Sequence, residues 1–238
     1  PRILLVLLAT ALAAASAFPV SAVAVPARAA TGTVVSLTFD DGARDQYDNA
    51  FPLLAEHGTP ATFFVNSARV DAPGYMTRAQ LESLESTGHE IGGHTVAHAD
   101  LPALPAAEQR RQVCGDRVAL LNMGFTVKNF ACPYGSADAT SEQVARDCGY
   151  NSARRVGGIV SPGGCSGCDH AETVPPADAH STRTPDSVKT STTLAQLKGY
   201  VTQAEANGGG WVQLVIHHVC EGCDSTYAVS PSTLSSFL

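Results

Sequence analysis

Short apolar runs rich in β-branched and aromatic residues alternate along this chain with stretches of helical periodicity, and no other feature limits the fold as much. Val34 to Phe39 reads as a buried strand ending in Asp40-Asp41-Gly42. A helix is predicted from about Gln46 to Glu56, with Gly58 and Pro60 marking its end, and the next strand runs from Ala61 to Val65. Thr77-Arg78-Ala79-Gln80 has capping-box spacing, and Leu81 and Leu84 supply the apolar face of a helix that Gly88 stops. The alternation continues with a strand around His89 to Gly92, a helix from Ala106 to Met123, a strand at Val127 to Ala131 and a helix at Ser141 to Asp147. Asn151 to Ser191 is rich in Gly, Pro, Ser and Thr and reads as a long, cysteine-braced excursion with one or two strands. A helix follows at Leu194 to Ala206, then a strand at Trp211 to His217, and Ser230-Pro231 opens a last helix. Such a pattern predicts an α/β fold with a mainly parallel sheet, open or closed into a barrel. In either case polar residues gather functionally at the carboxyl ends of strands, where Asp40, Asp41, His94, His98, Tyr134 and His217 fall.

Residues 1–30 follow a different logic. Arg2 precedes an uncharged, alanine-rich run from Ile3 to Val25, and Ala27-Arg28-Ala29 is a small-x-small site for signal peptidase. The expectation is a secretory signal peptide over 1–30 and one domain over 31–238, hence a secreted, extracellular product with no stable membrane association once the signal is removed. An uncut segment would instead act as a membrane anchor. The formal charge is −7, and residues 1–30 hold two Arg and no acid, so the remainder is more acidic still. That balance argues against a nucleic-acid partner held through phosphates. Seven cysteines fit an oxidising compartment. Cys165-x-x-Cys168 and Cys220-x-x-Cys223 form close pairs, Cys114 and Cys148 are a plausible third, and Cys132 is left over; the two CxxC pairs could alternatively hold a structural zinc.

Two patterns carry chemistry. His94 and His98 stand four residues apart, ~13 Å in an extended strand but only ~6 Å in a helical turn, so they can share a metal only where the chain turns. Gly92 and Gly93, directly before them, offer such a turn. Asp40 and Asp41 are adjacent carboxylates at the end of an apolar strand, a repulsion that a cation would relieve. One carboxylate with two imidazoles leaves coordination positions free for water.

Thr38-Phe39-Asp40-Asp41-Gly42, His94-Thr95-x-x-His98, Pro133-Tyr134-Gly135 and the late strand ending in His217 resemble, in this order, the motifs of the polysaccharide deacetylases, the NodB-homology carbohydrate esterases. The likeness runs from about Val34 to His218. It implies a distorted (β/α) barrel with fewer than eight repeats and removal of N- or O-acetyl groups from a polysaccharide or oligosaccharide. It implies a divalent metal, zinc first and Co2+, Ni2+ or Fe2+ as alternatives, held by Asp41, His94 and His98. It makes Asp40 the general base, His217 the general acid and the backbone N–H of Tyr134 an oxyanion donor. His218 takes a place where the family often has Asp. One departure stands out: the family's Arg two residues before Pro-Tyr is Ala131 here, and the supporting Asp-Trp motif is not evident. Arg154, Arg155 and Arg183 are the candidates to replace that guanidinium. Arg183 is favoured, because Thr182-Arg183-Thr184-Pro185 follows the long excursion that can fold back over the site. Without such a replacement, a secreted carbohydrate-binding protein lacking turnover is the competing reading.

Overall fold

A computed structural model describes residues 32–162 and 164–238. The proposed signal peptide, 1–30, lies outside the described residues. Seven strands form one sheet: β1 (Thr33–Phe39), β2 (Thr62–Val65), β3 (Glu90–Gly93), β4 (Asn129–Ala131), β5 (Ser152–Gly158), β6 (Thr182–Thr184) and β7 (Gly210–Ile216). Their order is β6-β5-β4-β3-β2-β1-β7, and every pairing is parallel. Sequential neighbours pair except for β7, which returns beside β1, so the sheet curls until β6 and β7 face each other. No ladder closes that gap. The Gln213 side chain of β7 spans it, donating to Thr182 Oγ1 at 3.2 Å and to the Arg183 carbonyl at 3.3 Å. The result is a nearly closed barrel with fewer than eight repeats.

Helices α1 (Phe51–His57), α2 (Arg78–Ser86), α3 (Ala106–Asn122), α4 (Ala139–Asp147), α5 (Leu194–Ala206) and α6 (Pro231–Phe237) supply the connections, and β5 passes to β6 without one. The signals for them are local. Thr77 with Gln80 and Thr193 with Gln196 make complete capping boxes at the starts of α2 and α5. The predicted helix at 46–56 is instead a wide π-turn, Gln46–Ala50, running into α1. Pro52 has no N–H to give the carbonyl of Asp48 and its ring crowds that carbonyl, so the backbone opens to an i→i−5 bond from Phe51 N–H to the Gln46 carbonyl.

Phe39 and Phe63, stacked at 4.9 Å, face the helices, forming with Ile91, Phe130 and Leu214 one buried apolar cluster that includes Leu54, Leu84, Leu120 and Leu197. Each such side chain contributes about 1.5–3 kcal/mol through burial. Gly92 and Gly93 do not make the turn assigned to them from sequence. They sit in β3, where a Cβ would lie 2.4 Å from the Phe64 ring and 2.0 Å from the Tyr150 hydroxyl, so they are needed for close packing. The cysteines join as Cys114–Cys148, Cys165–Cys168 and Cys220–Cys223, leaving Cys132 free and buried. Sulfurs so paired are not zinc ligands. Among the described residues no helix is long and apolar enough to cross a membrane.

Candidate active site

In a parallel barrel all strands deliver their carboxyl ends to one rim, and this site is built there. Asp40 follows β1 and extends its pairing by one bond, from its N–H to the Ile216 carbonyl at 2.9 Å. That bond sets it beside His217, which follows β7. Gln46 fixes both, donating from Nε2 to the carbonyls of Asp40 and His217.

Asp41 turns away from Asp40 because its φ is +75°, and Thr95, His98 and Tyr134 share this left-handed conformation. Among the described residues only one other non-glycine, Asp71, does so. L side chains disfavour this region, so concentrating it at one rim marks strain kept for function. Thr95 and His98 supply the turn that the HxxxH spacing requires. His94 Nε2 and His98 Nε2 thereby come within 3.6 and 3.1 Å of Asp41 Oδ1. One ligand atom from each of Asp41, His94 and His98 lies within 4.8 Å of the others.

This donor set fits a divalent cation. Asp41 Oδ1 is buried without a donor in line with it. His94 Nδ1 lies 2.7 Å from the Ala131 carbonyl, the contact that commits the Nδ1 proton and leaves the Nε2 lone pair facing Asp41. Burial lowers the His94 pKa to about 4, which keeps the imidazole neutral as a ligand must be. Burial opposes the charge of Asp41, but the imidazoles of His98 and His94 beside it outweigh this and hold the carboxyl well below the usual range. The backbone is also pinned: Asp116, wholly buried in α3, accepts from His94 N–H at 2.9 Å and from Ser67 N–H at 2.8 Å.

The missing guanidinium is supplied by Arg154. It donates to Asp40 Oδ1 through Nη2, is almost wholly buried, and lies over the Phe64 ring at 5.2 Å. In register, Arg154 on β5 is the direct partner of Ala131 on β4, the position where the resemblance implies an Arg. Burial acts to raise the Asp40 pKa, yet Arg154, His94 and His217 together bring it below its ordinary value. Arg183, favoured from sequence, is elsewhere. Its guanidinium is taken by Glu172 at 3.0 Å and Asp169 at 2.9 Å, acids of the excursion itself. Position after the excursion does not bring a side chain to Asp40; strand register does.

Tyr134 sits between Pro133 and Gly135 with its ring packed edge-on against His98 at 4.5 Å. Gly135 N–H and Ser136 N–H are committed to the carbonyls of Cys132 and Pro133. His217 is largely buried; burial lowers its pKa, and its Nδ1 has no partner. His218 points elsewhere and is paired with Asp45 at 2.6 Å, a contact that raises its pKa. Cys132 is buried beside the site with its thiol pushed up to about 12, which rules out a thiolate nucleophile at neutral pH. Asp40, Asp41, His94, His98, Tyr134 and His217 all line one open cleft of about 460 Å3. Sequence reasoning missed Lys189, Asp186 and Tyr227 on its far wall, because they come from loops with no periodic signal.

Comparisons with known proteins bear on the family and the fold. A family model described as "Polysaccharide deacetylase" matches residues 27–153. A chitooligosaccharide deacetylase of Sinorhizobium fredii is 35% identical over 113 residues, covering 45% of this chain and 50% of that protein. A chitin deacetylase of Pestalotiopsis sp is 33% identical over 121 residues, 49% of this chain and 39% of the other. The chain spans about half the length, or less, of the relatives it matches. Among solved structures, the family 4 carbohydrate esterase from Streptomyces lividans in complex with acetate superposes with a TM-score of 0.54 over 87% of this chain and 85% of that one. At 18% identity it speaks for the fold alone.

Proposed function

Because the chain belongs to the polysaccharide deacetylase family, we propose that it hydrolyses acetyl groups from an N-acetylated, or O-acetylated, polysaccharide in a metal-dependent reaction outside the cell. One observation carries this reading: the Asp41, His94, His98 cluster opens into the same cleft as the ion-paired Asp40 and the half-buried His217. Relatives that are chitin and chitooligosaccharide deacetylases make N-acetylglucosamine polymers the first substrates to try. Three disulfides support export to an oxidising compartment.

Asp41, His94 and His98 would hold the cation, zinc first by donor type. When bound, such an ion supplies Lewis-acid polarisation of the acetyl carbonyl and acidifies water. The remaining work falls to the chain's own groups. Asp40, kept ionised by Arg154, accepts a proton from the attacking water, and the ion pair fixes which oxygen is free to do so. The N–H of Tyr134 donates to the oxyanion of the tetrahedral intermediate. His217, which lines the same cleft as Asp40, gives a proton to the departing amine or alcohol. Arg154 beside Asp40 also weighs against a carbohydrate-binding protein without turnover, since the reason for that reading was the empty Arg position at Ala131.

The test is acetate release from N- and O-acetylated glycans by the zinc-loaded protein, by the chelated protein and after zinc is restored. Asp40→Asn is expected to lower turnover by about 10²–10⁴-fold while leaving zinc bound. Release that ignores both chelation and Asp40→Asn would sink the mechanism.

A further inference from the structure

The catalytic cleft does not end at its far wall. Asp186, Ser187 and Lys189, which line it, also line a second concavity of about 120 Å3 reaching α5. That one shares Pro162, Gln196 and Tyr200 with a third, of about 370 Å3, which continues along α5 to Gln203. From Gln196 to Gln203 the helix face alone runs about 10 Å, longer than one sugar ring. The floor is fixed: Asp186 N–H bonds Ser161 Oγ at 2.8 Å, and Val188 N–H bonds the Val215 carbonyl at 2.8 Å.

The lining changes character along this path. The middle concavity offers hydroxyls, a carboxamide and one charge of each sign: Ser191, Thr192, Gln196, Asp186 and Lys189. The outer one is largely apolar, with the half-buried Tyr200 ring beside Pro162 and Val160, and Gln203, Ser166 and His170 around it. A pyranose has this same division, an apolar C–H face rimmed by hydroxyls. Of the six tyrosines, Tyr134 and Tyr227 line the catalytic cleft and Tyr200 the outer end. All three concavities draw on residues past 153, where the family match stops.

We infer that these concavities form one groove that binds successive sugar units of a linear acetylated glycan, with Tyr200 as a stacking platform several residues of polymer away from the bond being cut. This rests on the deacetylase reading for the identity of the ligand. It goes beyond it in assigning part of the binding surface and a specificity-determining residue to α5.

The experiment uses zinc-loaded Asp40→Asn protein, in which turnover is blocked, titrated calorimetrically with two series from disaccharide to hexasaccharide, N-acetylglucosamine oligomers and acetylated xylose oligomers. Affinity in one series should climb with length. Tyr200→Ala should weaken the hexasaccharide by about tenfold and leave the disaccharide nearly unchanged, with Tyr200→Phe restoring the loss. Gly199→Trp is a second variant that does not thin the core. A Cβ there meets nothing within 4 Å, so the indole fills the outer concavity and should produce the same selective loss. Affinity independent of length in both series, or equal in the parent and both variants, overturns the groove. Acetate release by the wild type is read separately. Length-dependent binding without release would remove the deacetylase reading and keep the groove; release without length dependence would do the reverse.

Discussion

From Thr33 to Ala153 the chain buries Leu37, Phe39, Leu54, Phe63, Leu81, Leu84, Ile91, Leu101, Leu120 and Phe130, whereas from Ile159 to Ser191 only Ile159, Ala171, Pro185 and Val188 are buried apolar residues among those described. The two stretches are held differently as a result. The first is a run of strand and helix pairs whose side chains interlock. The second is pinned by Cys165–Cys168, by the Arg183 guanidinium between Glu172 and Asp169, and by a bridge from Glu172 to Trp211 of β7. Where little apolar surface is available to offset the entropy of ordering, cross-links must position the chain. The difference also divides the labour: every proposed metal ligand lies in the packed stretch, and the groove walls lie in and beyond the pinned one.

The largest effect that would sharpen this contrast comes from Arg154, which couples the two. Arg154→Ala leaves the buried Asp40 carboxylate unpaired and should cost about 3–5 kcal/mol in denaturant unfolding, with activity lost too. The double variant Ala131→Arg with Arg154→Ala should recover part of both losses, because the two positions are register partners. A double variant no better than the single one would show that the position on β4 cannot serve.

Next come the disulfides. Replacing Cys114 and Cys148, 34 residues apart, should destabilise by ~3–4 kcal/mol, and replacing Cys165 and Cys168, three apart, by less than about 2. If the short bridge matters more, the excursion is under greater tension than its hydrogen bonds indicate. Acid titration of the metal-free protein should act on the packed stretch through His94. Its folded pKa, about 4, lies below the unfolded value near 6.5, so its stabilising contribution is full above 6.5 and is lost as pH falls toward 4. The loss should be about 2–3 kcal/mol, and His94→Gln should flatten that part of the curve. The smallest effect is chemical: Cys132 should resist alkylation at pH 8 in the folded protein and become the one labelled cysteine when the oxidised chain is unfolded.

Much of the packed stretch was legible from sequence because burial imposes a period on it. Strand β1 and helix α3 fall within a residue of where the sequence pattern put them. Of the excursion only the cysteine brace and the presence of one or two strands were legible, since ion pairs such as Arg183 with Glu172 follow no spacing rule. The site was partly legible. Asp40, Asp41, His94, His98, Tyr134 and His217 line one cleft, but the turn at His94 to His98 depends on left-handed Thr95 and His98, which no glycine announced. The partner of Asp40 was hidden for another reason: it depends on which residues of β4 and β5 stand side by side.

That pairing of Ala131 with Arg154 bears on how such chains are recognised. A comparison that scores one alignment column at a time sees only an Ala at 131, where the resemblance implies an Arg. Scored by coordinates, the same charge meets the same carboxylate from the next staff of the barrel. Parallel sheets permit this exchange because neighbouring strands reach the rim side by side, so a lineage can relocate an essential cation without vacating the spot it occupies.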